Sequence, residues 1–296
     1  MTSAELASAA ESWQPQGGNL RRRRITNTVM LGLSWLSIVI TIIPLVLVLV
    51  WVALQGFSAL NLDFFTRVPG PPDDPHTGFA NGIVGTGILL VIASLISVPV
   101  GIGAGIYVAE FGGSKLNTLI RFAVDVLSGV PSITIGVFVY ALIVQPTHTF
   151  SALAGGVALA LIMLPLIIRT TEEMLRLVPQ SIREAALALG APVWSTVLRY
   201  ALPVALPGLV TGILLAMARA AGETAPLLFT ALGNQQWSFS LFQPIAALTL
   251  QVYFGAQSAY EIQKQQAFAG ALVLVALILI ASILSRLATR RIAGGR

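Results

Sequence analysis

The chain has 296 residues, of which 56% are hydrophobic and only 10% are charged, and its net charge is +5. Soluble domains contain about 25% charged residues, so this composition excludes an ordinary soluble protein and predicts a polytopic membrane protein. There is no cysteine, no GxxxxGK[ST] phosphate-binding loop, and only two histidines, His76 and His148, in short polar connections. We therefore expect no catalytic residue, metal site or cofactor on this chain.

Apolar segments of bilayer length dominate the chain. A polar stretch that ends in the basic run Arg21–Arg24 precedes them, and we expect residues 1–28 to form a disordered cytoplasmic tail. A helix needs about 20 apolar residues to span a bilayer. The segments of this length predict an all-α bundle of six transmembrane helices over residues 29–288, followed by a cytoplasmic tail at 289–296. They lie at roughly 29–54, 83–109, 119–144, 151–170, 204–232 and 268–288.

Basic residues are distributed unevenly between the connections. If the N-terminus is inside, all 17 lysines and arginines lie in inner segments except Arg67, Lys264 and Arg219. Inner loops of membrane proteins carry the excess of basic residues, so the pattern predicts that both termini are cytoplasmic. The same pattern accounts for the basic pI of about 10.1 without a nucleic-acid partner.

The second span contains the glycine-rich stretch VGIGAGIYVAEF. Gly101 and Gly105 have the GxxxG spacing that lets helices approach closely. A dinucleotide-binding loop would follow a strand, whereas this stretch lies within a long apolar segment. We therefore interpret the two glycines as a packing surface.

Two outer connections are long enough to carry function. Residues 55–81 include the turn-rich stretch PGPPDDPHTG, and residues 233–266 include PIAALTLQVYF, which is too short to span a bilayer. The latter segment is interpreted as an interfacial or re-entrant helix. The connections are either docking surfaces for an external partner or ordinary loops.

The stretch ARAAGETAP places two charges, Arg219 and Glu223, inside an apolar run. A charge at the bilayer centre costs about 2.5–3.5 kcal/mol on insertion scales, so both side chains should face the bundle interior or a wet cavity. They are four residues apart and share a face if the helix continues. Pro226 has no amide hydrogen to donate to the Gly222 carbonyl, and its absence predicts a kink or break beside the pair. The pair is either a structural ion pair or a substrate element, in which Arg219 binds an oxyanion and Glu223 moderates it.

Further charges lie near the predicted inner ends of the spans. Arg169 precedes Glu172 and Glu173 and is interpreted as a snorkelling anchor beside them. Asp125 follows Arg121 by four residues, which predicts an interface ion pair on the third span.

The connection 171–203 is the one substantial inner loop. Ser181 and Glu184 have capping-box spacing, which predicts a helix start, and Gly190 can end that helix in a left-handed conformation. We expect a short helix from about Ile182 to Leu189. So short a helix is marginal in water, so it should pack against its own spans or against a cytoplasmic partner.

The same loop carries a family signature. Glu184-Ala185-Ala186, Gly190 and Leu202-Pro203 match the EAA---G---------I-LP motif, with Tyr200 at the usual isoleucine position, and the chain therefore resembles bacterial ABC importer permeases. The resemblance implies the type I importer fold in the bacterial inner membrane and a coupling helix at about 182–190 that docks on an ATPase. It also implies several partners: a second permease subunit forming a heterodimer, two copies of the ATPase that bind ATP and Mg²⁺, and an extracytoplasmic binding protein.

The stretches ARAAGETAPLLF, IIRTTEEMLRLVP and NGIVGTGILLVIASLISVPVGIGAGIYVAEF resemble the phosphate-uptake branch of these permeases, from about residue 80 onward. This resemblance implies that Arg169 and Arg219 serve phosphate passage, with Glu223 as acidic neighbour, and that the binding protein binds phosphate. We expect a transport subunit rather than an enzyme, working by alternating access. The alternatives are a permease for another oxyanion, such as molybdate or sulfate, and a secondary anion carrier in which Glu223 is a proton site.

Overall fold

The computed structural model describes residues 20–72 and 74–294, so residues 1–19 of the tail predicted at 1–28 lie outside these ranges. The described chain is almost entirely helical, and an isolated β-bridge between Leu232 and Ile245 is its only strand-like pairing. This confirms the predicted all-α fold. The α-helices of four or more residues in these ranges are α1 (Leu20–Gly56), α2 (Leu62–Thr66), α3 (Ala80–Glu110), α4 (Lys115–Gly129), α5 (Ser132–Val139), α6 (Ala152–Arg176), α7 (Gln180–Ala188), α8 (Leu202–Ala221), α9 (Ala225–Leu228), α10 (Leu248–Ala256) and α11 (Glu261–Gly294).

Length and apolar composition qualify five of the described helical segments as membrane spans. A sixth span exists if the bent pair Lys115–Gly129 and Ser132–Thr147 is counted as one. The fifth span starts before α8, because a helical turn at Val193–Ser195 and a π-helical stretch at Thr196–Ala201 lead into it. The number of spans therefore agrees with the sequence when the bent pair is included.

The chain divides into two compact units at Trp51 and Val52. The first unit contains most of α1, whose helix begins at Leu20, ahead of the predicted span, so that Arg21–Arg24 lie on its first turns. The hydroxyl of Ser34 donates to the Met30 carbonyl, and that of Thr41 to the Ser37 carbonyl. These bonds satisfy hydroxyl groups within an apolar helix that has no water to bond to.

The predicted third span is bent by 108°. It breaks at Val130, which is extended (φ −73°, ψ 131°), and at Pro131, which precedes α5. A residue before proline is driven out of the helical region, and proline itself has no amide hydrogen to donate. The prediction of one continuous helix over 119–144 is therefore wrong.

Helix α6 forms the core of the second unit. Of its most apolar window, 67% is buried. Helix α3 packs against it through the two glycines of the GxxxG stretch: a Cβ on Gly101 would lie 2.6 Å from Ile167 Cγ2, and one on Gly105 would lie 2.5 Å from Thr171 Cβ. The predicted packing surface is confirmed.

The connection after α9 folds into the same core. Ile245, Leu248 and Leu250 are each at most 1% exposed. Helix α10 is tied to the α3 start, because Gln251 Nε2 donates to Asn81 Oδ1 at 2.8 Å. The predicted short helix exists, and its N-terminal half is covered by the bundle rather than lying free at an interface.

The connection between α1 and α3 is organised by Asp63. Its carboxylate is 2.7 Å from His76 Nδ1 and 3.0 Å from Arg67 Nε. The hydrogen bond from His76, aided by the charge of Arg67, holds the pKa of Asp63 below its ordinary value of 3.8. These contacts join the two ends of a loop that has little helix of its own.

Candidate functional site

Helix α8 ends beside its intramembrane arginine. The last turn is closed by bonds from the Gly222 amide to the Arg219 carbonyl and from the Glu223 amide to the Ala220 carbonyl, each 3.2 Å. Pro226 then occupies the first turn of α9, where a missing amide costs nothing. The predicted break within the apolar segment 204–232 is confirmed.

Because the helix ends at Ala221, Arg219 and Glu223 do not share a helix face. No ion pair joins them among the residues that the structure describes. Glu223 is instead held through its backbone, whose carbonyl accepts a hydrogen bond of 3.0 Å from Thr249 Oγ1 on α10. The hypothesis of an internal Arg219–Glu223 pair is therefore wrong for this conformation, and any role of Glu223 beside an anion stays a prediction.

Arg219 and Arg169 line one cavity of about 220 Å³. Ser132, the first residue of α5, lines it too, so the positive end of a helix dipole lies at its wall. Water occupies about 30 Å³ per molecule, so the cavity has room for a small oxyanion with part of its hydration. The other lining residues come from the chain break and from α4, α5 and α6: Leu127, Ser128, Val130, Ile135, Ile162, Pro165 and Leu166.

The carboxylate partners differ from those predicted. Arg169 Nη2 lies 2.5 Å from Asp125 Oδ1, and Arg121 Nη2 lies 2.5 Å from Glu172 Oε1. Arg176 also binds Glu172, at 2.9 Å. The predicted Arg121–Asp125 pair is wrong, and Arg169 binds Asp125 rather than a carboxylate of its own helix, because α4 and α6 pack side by side and exchange partners across their contact.

Helix α7 contains the first part of the family signature, Glu184-Ala185-Ala186. It begins at Gln180 after Pro179 and has no side-chain cap, so the predicted Ser181 capping box is wrong. Its end is as predicted: Gly190 has φ +81°, and the amides of Gly190 and Ala191 donate to the Leu187 and Ala186 carbonyls at 2.9 and 3.1 Å. These two bonds form the Schellman motif, which requires a left-handed residue that glycine adopts without strain.

An ion pair that sequence analysis missed holds α7 to the bundle. Arg183 pairs with Glu110 at the end of α3, and its Nη2 donates to the Leu175 carbonyl of α6 at 2.8 Å. The two charged side chains are 16% and 10% exposed. The only sequence signal was the position of Arg183 immediately before Glu184.

The two faces of α7 have different surroundings. Ala186 is buried against the bundle, whereas Glu184 and Ala185 are exposed. Apolar side chains continue the exposed surface, with Leu189 84% and Trp194 59% exposed. One face therefore packs on the chain's own spans, and the other presents an apolar surface rimmed by charge.

An all-helical bundle with broken spans, a charged cavity at a break and a short surface helix between spans defines a membrane permease. Residues 101–294 match the model of the family described as "Binding-protein-dependent transport system inner membrane component", and the chain belongs to this family. It is thus an inner-membrane transport component rather than an enzyme, and permeases of this kind work with an ATPase and a substrate-binding protein.

Curated relatives cover nearly the whole chain. The "Phosphate transport system permease protein PstA" of Yersinia pestis is 44% identical over 89% of this chain and 90% of its own length. The protein of the same name from Xylella fastidiosa strain Temecula1 is 44% identical, with coverage of 90% and 93%. PstA 1 of Mycobacterium tuberculosis strain H37Rv is 37% identical, with 91% of each chain covered.

Solved structures share the fold at low sequence identity. The inward-facing MetNI methionine ABC transporter matches with a TM-score of 0.58 and 22% identity, over 72% of this chain and 96% of that one. A bacterial alginate ABC transporter, in complex with a periplasmic protein carrying an alginate pentasaccharide, matches with a TM-score of 0.66 and 12% identity, over 93% and 98%. The ABC importer permease fold expected from the signature is confirmed.

Proposed function

We propose that the chain is the permease subunit that passes inorganic phosphate through an ATP-driven importer. The relatives named PstA, at 37–44% identity over about nine tenths of the chain, support phosphate as the substrate. Arginine donates in a planar fork that matches oxyanion geometry, and it keeps its charge. The observation that carries the proposal is that Arg169 and Arg219, from different helices, line one cavity beside a helix break.

The expected assembly pairs this chain with a second permease subunit in a heterodimer. Two copies of a cytoplasmic ATPase bind ATP and Mg²⁺, and an extracytoplasmic protein delivers phosphate. The docking segment for the ATPase is the exposed face of the signature, Glu184, Ala185 and Gly190, while Ala186 packs α7 against the bundle. This segment lies on the cytoplasmic side with both termini. The exposed apolar surface beside α7 supports this assignment, since such patches on a protein surface mark sites of partner contact.

Transport then needs no covalent step on this chain. Phosphate released into the bundle binds the guanidinium groups at the break, and closure of the ATPases moves α7 and the helices joined to it. Irregular backbone at depth is tolerated where it lines such a cavity. Membership of a binding-protein-dependent family does not agree with the secondary-carrier alternative.

The test is Arg219→Gln in the complete transporter, with uptake of labelled phosphate measured in proteoliposomes. Loss of one charge-assisted hydrogen bond, about 1.5–3 kcal/mol, should lower uptake by at least about tenfold while assembly stays intact. Arg22→Gln, at an exposed arginine in the first turn of α1, is the matched control. Normal uptake by the Arg219 variant would refute the assigned role, and stronger transport of sulfate or molybdate than of phosphate would refute the substrate.

A further inference from the structure

Arg169 belongs to two cavities. It lines the cavity of about 220 Å³ that contains Arg219, and it also lines a second cavity of about 340 Å³. Both volumes lie along α6, and this guanidinium is the charged group that they share. An anion that left Arg219 towards the second cavity would therefore meet Arg169 on the way. The remaining residues of the second cavity come from α3, α4 and α6: Val108, Ile120, Arg121, Val124, Asp125, Ile168, Glu172, Glu173 and Arg176.

The charges of the second cavity are balanced. Three arginines face three carboxylates there, so the cavity has no net positive charge with which to retain an anion. Glu172 binds both Arg121 and Arg176, and its side chain is only 11% exposed. These two arginines are therefore already engaged, and the second cavity suits passage of an anion better than its retention.

Arg169 is held differently. Its partner Asp125 is 69% exposed and Arg169 itself is 48% exposed, so the packing of this chain leaves both sides of the contact uncovered. The contact uses one nitrogen, and no other side-chain hydrogen bond of Arg169 is formed within the described ranges. An exposed pair of this kind is weak and opens readily, and a guanidinium has further donors for a second acceptor.

We propose that Asp125 competes with the transported oxyanion for Arg169 and thereby speeds its release. When phosphate binds Arg169, the carboxylate of Asp125 is either displaced from Arg169 or left close to a second negative charge. Either arrangement weakens the binding of phosphate to Arg169. When phosphate leaves, Asp125 returns to Arg169 and prevents recapture. Asp125 thus has the moderating role for which the sequence suggested Glu223, but it acts at the other arginine. This inference rests on the function proposed above.

The experiment uses the complete transporter in proteoliposomes, with the binding protein and labelled phosphate outside and ATP inside. Unlabelled inorganic phosphate is loaded inside at increasing concentrations, and the concentration that halves uptake is recorded. Asp125→Asn should lower this concentration about two- to fivefold, the range for a partly exposed ion pair. It should also lower the maximal rate, while the KM for the loaded binding protein stays unchanged. Glu173→Gln is the charge-matched control, since it removes one negative charge from the same cavity, while Glu173 forms no ion pair among the described residues. It should shift the inhibiting concentration less than Asp125→Asn does, and an equal shift would show that the charge of the cavity, rather than the Arg169–Asp125 contact, governs release.

The outcomes are distinguishable. If the wild-type transporter carries no phosphate, the proposed function fails. If it does carry phosphate and Asp125→Asn shows wild-type inhibition by internal phosphate, only the role of Asp125 fails. Asp125→Glu keeps the carboxylate and should retain nearly wild-type inhibition. Failure of Asp125→Asn to assemble would show that the ion pair is structural, and this result also overturns the inference.

Discussion

Breaking the ion pair of Arg183 should loosen α7 from the bundle. Arg183→Ala removes the guanidinium that binds both Glu110 and the Leu175 carbonyl, and it leaves a carboxylate that is only 10% exposed without a cation. Removing one partner of a buried pair costs about 3–5 kcal/mol. A cavity of about 410 Å³ beside the pair admits water to Glu110. We therefore expect a cost at or below the lower end of this range, about 2–3 kcal/mol.

Hydrogen exchange followed by mass spectrometry on the complete transporter measures this cost directly. The open population of α7 should rise about 30- to 150-fold, because each 1.4 kcal/mol is a factor of ten, and the amides of Gln180–Ala188 should exchange faster by that factor. Peptides from the buried part of α6 should be unchanged. Arg22→Ala, at an exposed arginine in the first turn of α1, is the control.

Unchanged exchange in α7 for Arg183→Ala would refute the assignment of Arg183 as its anchor. Glu110→Gln gives an independent check, because it removes the other charge from a different helix. It should speed exchange in the same peptides, although by less, since the neutral amide still accepts a hydrogen bond from Arg183. Faster exchange across the whole bundle in either variant would indicate global destabilisation instead of local release.

Two glycine substitutions test packing and turn geometry. Gly105→Ala would place a Cβ 2.5 Å from the Thr171 side chain, so it should destabilise the packing of α3 on α6 by about 1–3 kcal/mol. The thermal midpoint of the purified transporter should fall accordingly. Gly103→Ala is the control, because its Cβ would meet nothing within 4 Å and the midpoint should not change. The Cβ in Gly190→Ala would also meet no atom, but alanine would have to adopt φ +81°, which costs about 1–2 kcal/mol. The amide hydrogens of α7 should therefore exchange faster in this variant than in Gly112→Ala, where the added Cβ meets no atom and no positive φ is required. An equal midpoint for the first pair, or equal exchange for the second, would contradict these reasons.

Features with a local cause were predicted well. Helix α3 was expected at 83–109 and lies at Ala80–Glu110, because apolar length alone identifies a span. The left-handed Gly190 followed from its place after a helical pattern. The bend at Val130 and Pro131 is the exception. Its cause is local as well, but the single span expected over 119–144 did not take Pro131 into account.

Features that depend on a neighbouring helix were predicted poorly. Asp125 was assigned to Arg121 because four residues separate them on one helix, yet its partner Arg169 lies on another helix. The partner of Arg183 is 73 residues away in sequence. Spacing along a helix identifies which charges can meet, but the strongest contact goes to whichever group the packing places nearest.

The sequence by itself determined the class of protein, the presence of membrane-length apolar segments, the short helix between them and the placement of Arg219 in an apolar run. Each of these follows from residue type and local spacing, through the cost of exposing apolar surface to water or charge to lipid. Only the tertiary structure decided that Arg169 and Arg219 line one cavity, and that Asp125, rather than Glu223, forms an ion pair with one of these arginines, Arg169. Those relations depend on how α4, α6 and α8 pack, and packing is set by many weak contacts between segments far apart in the chain.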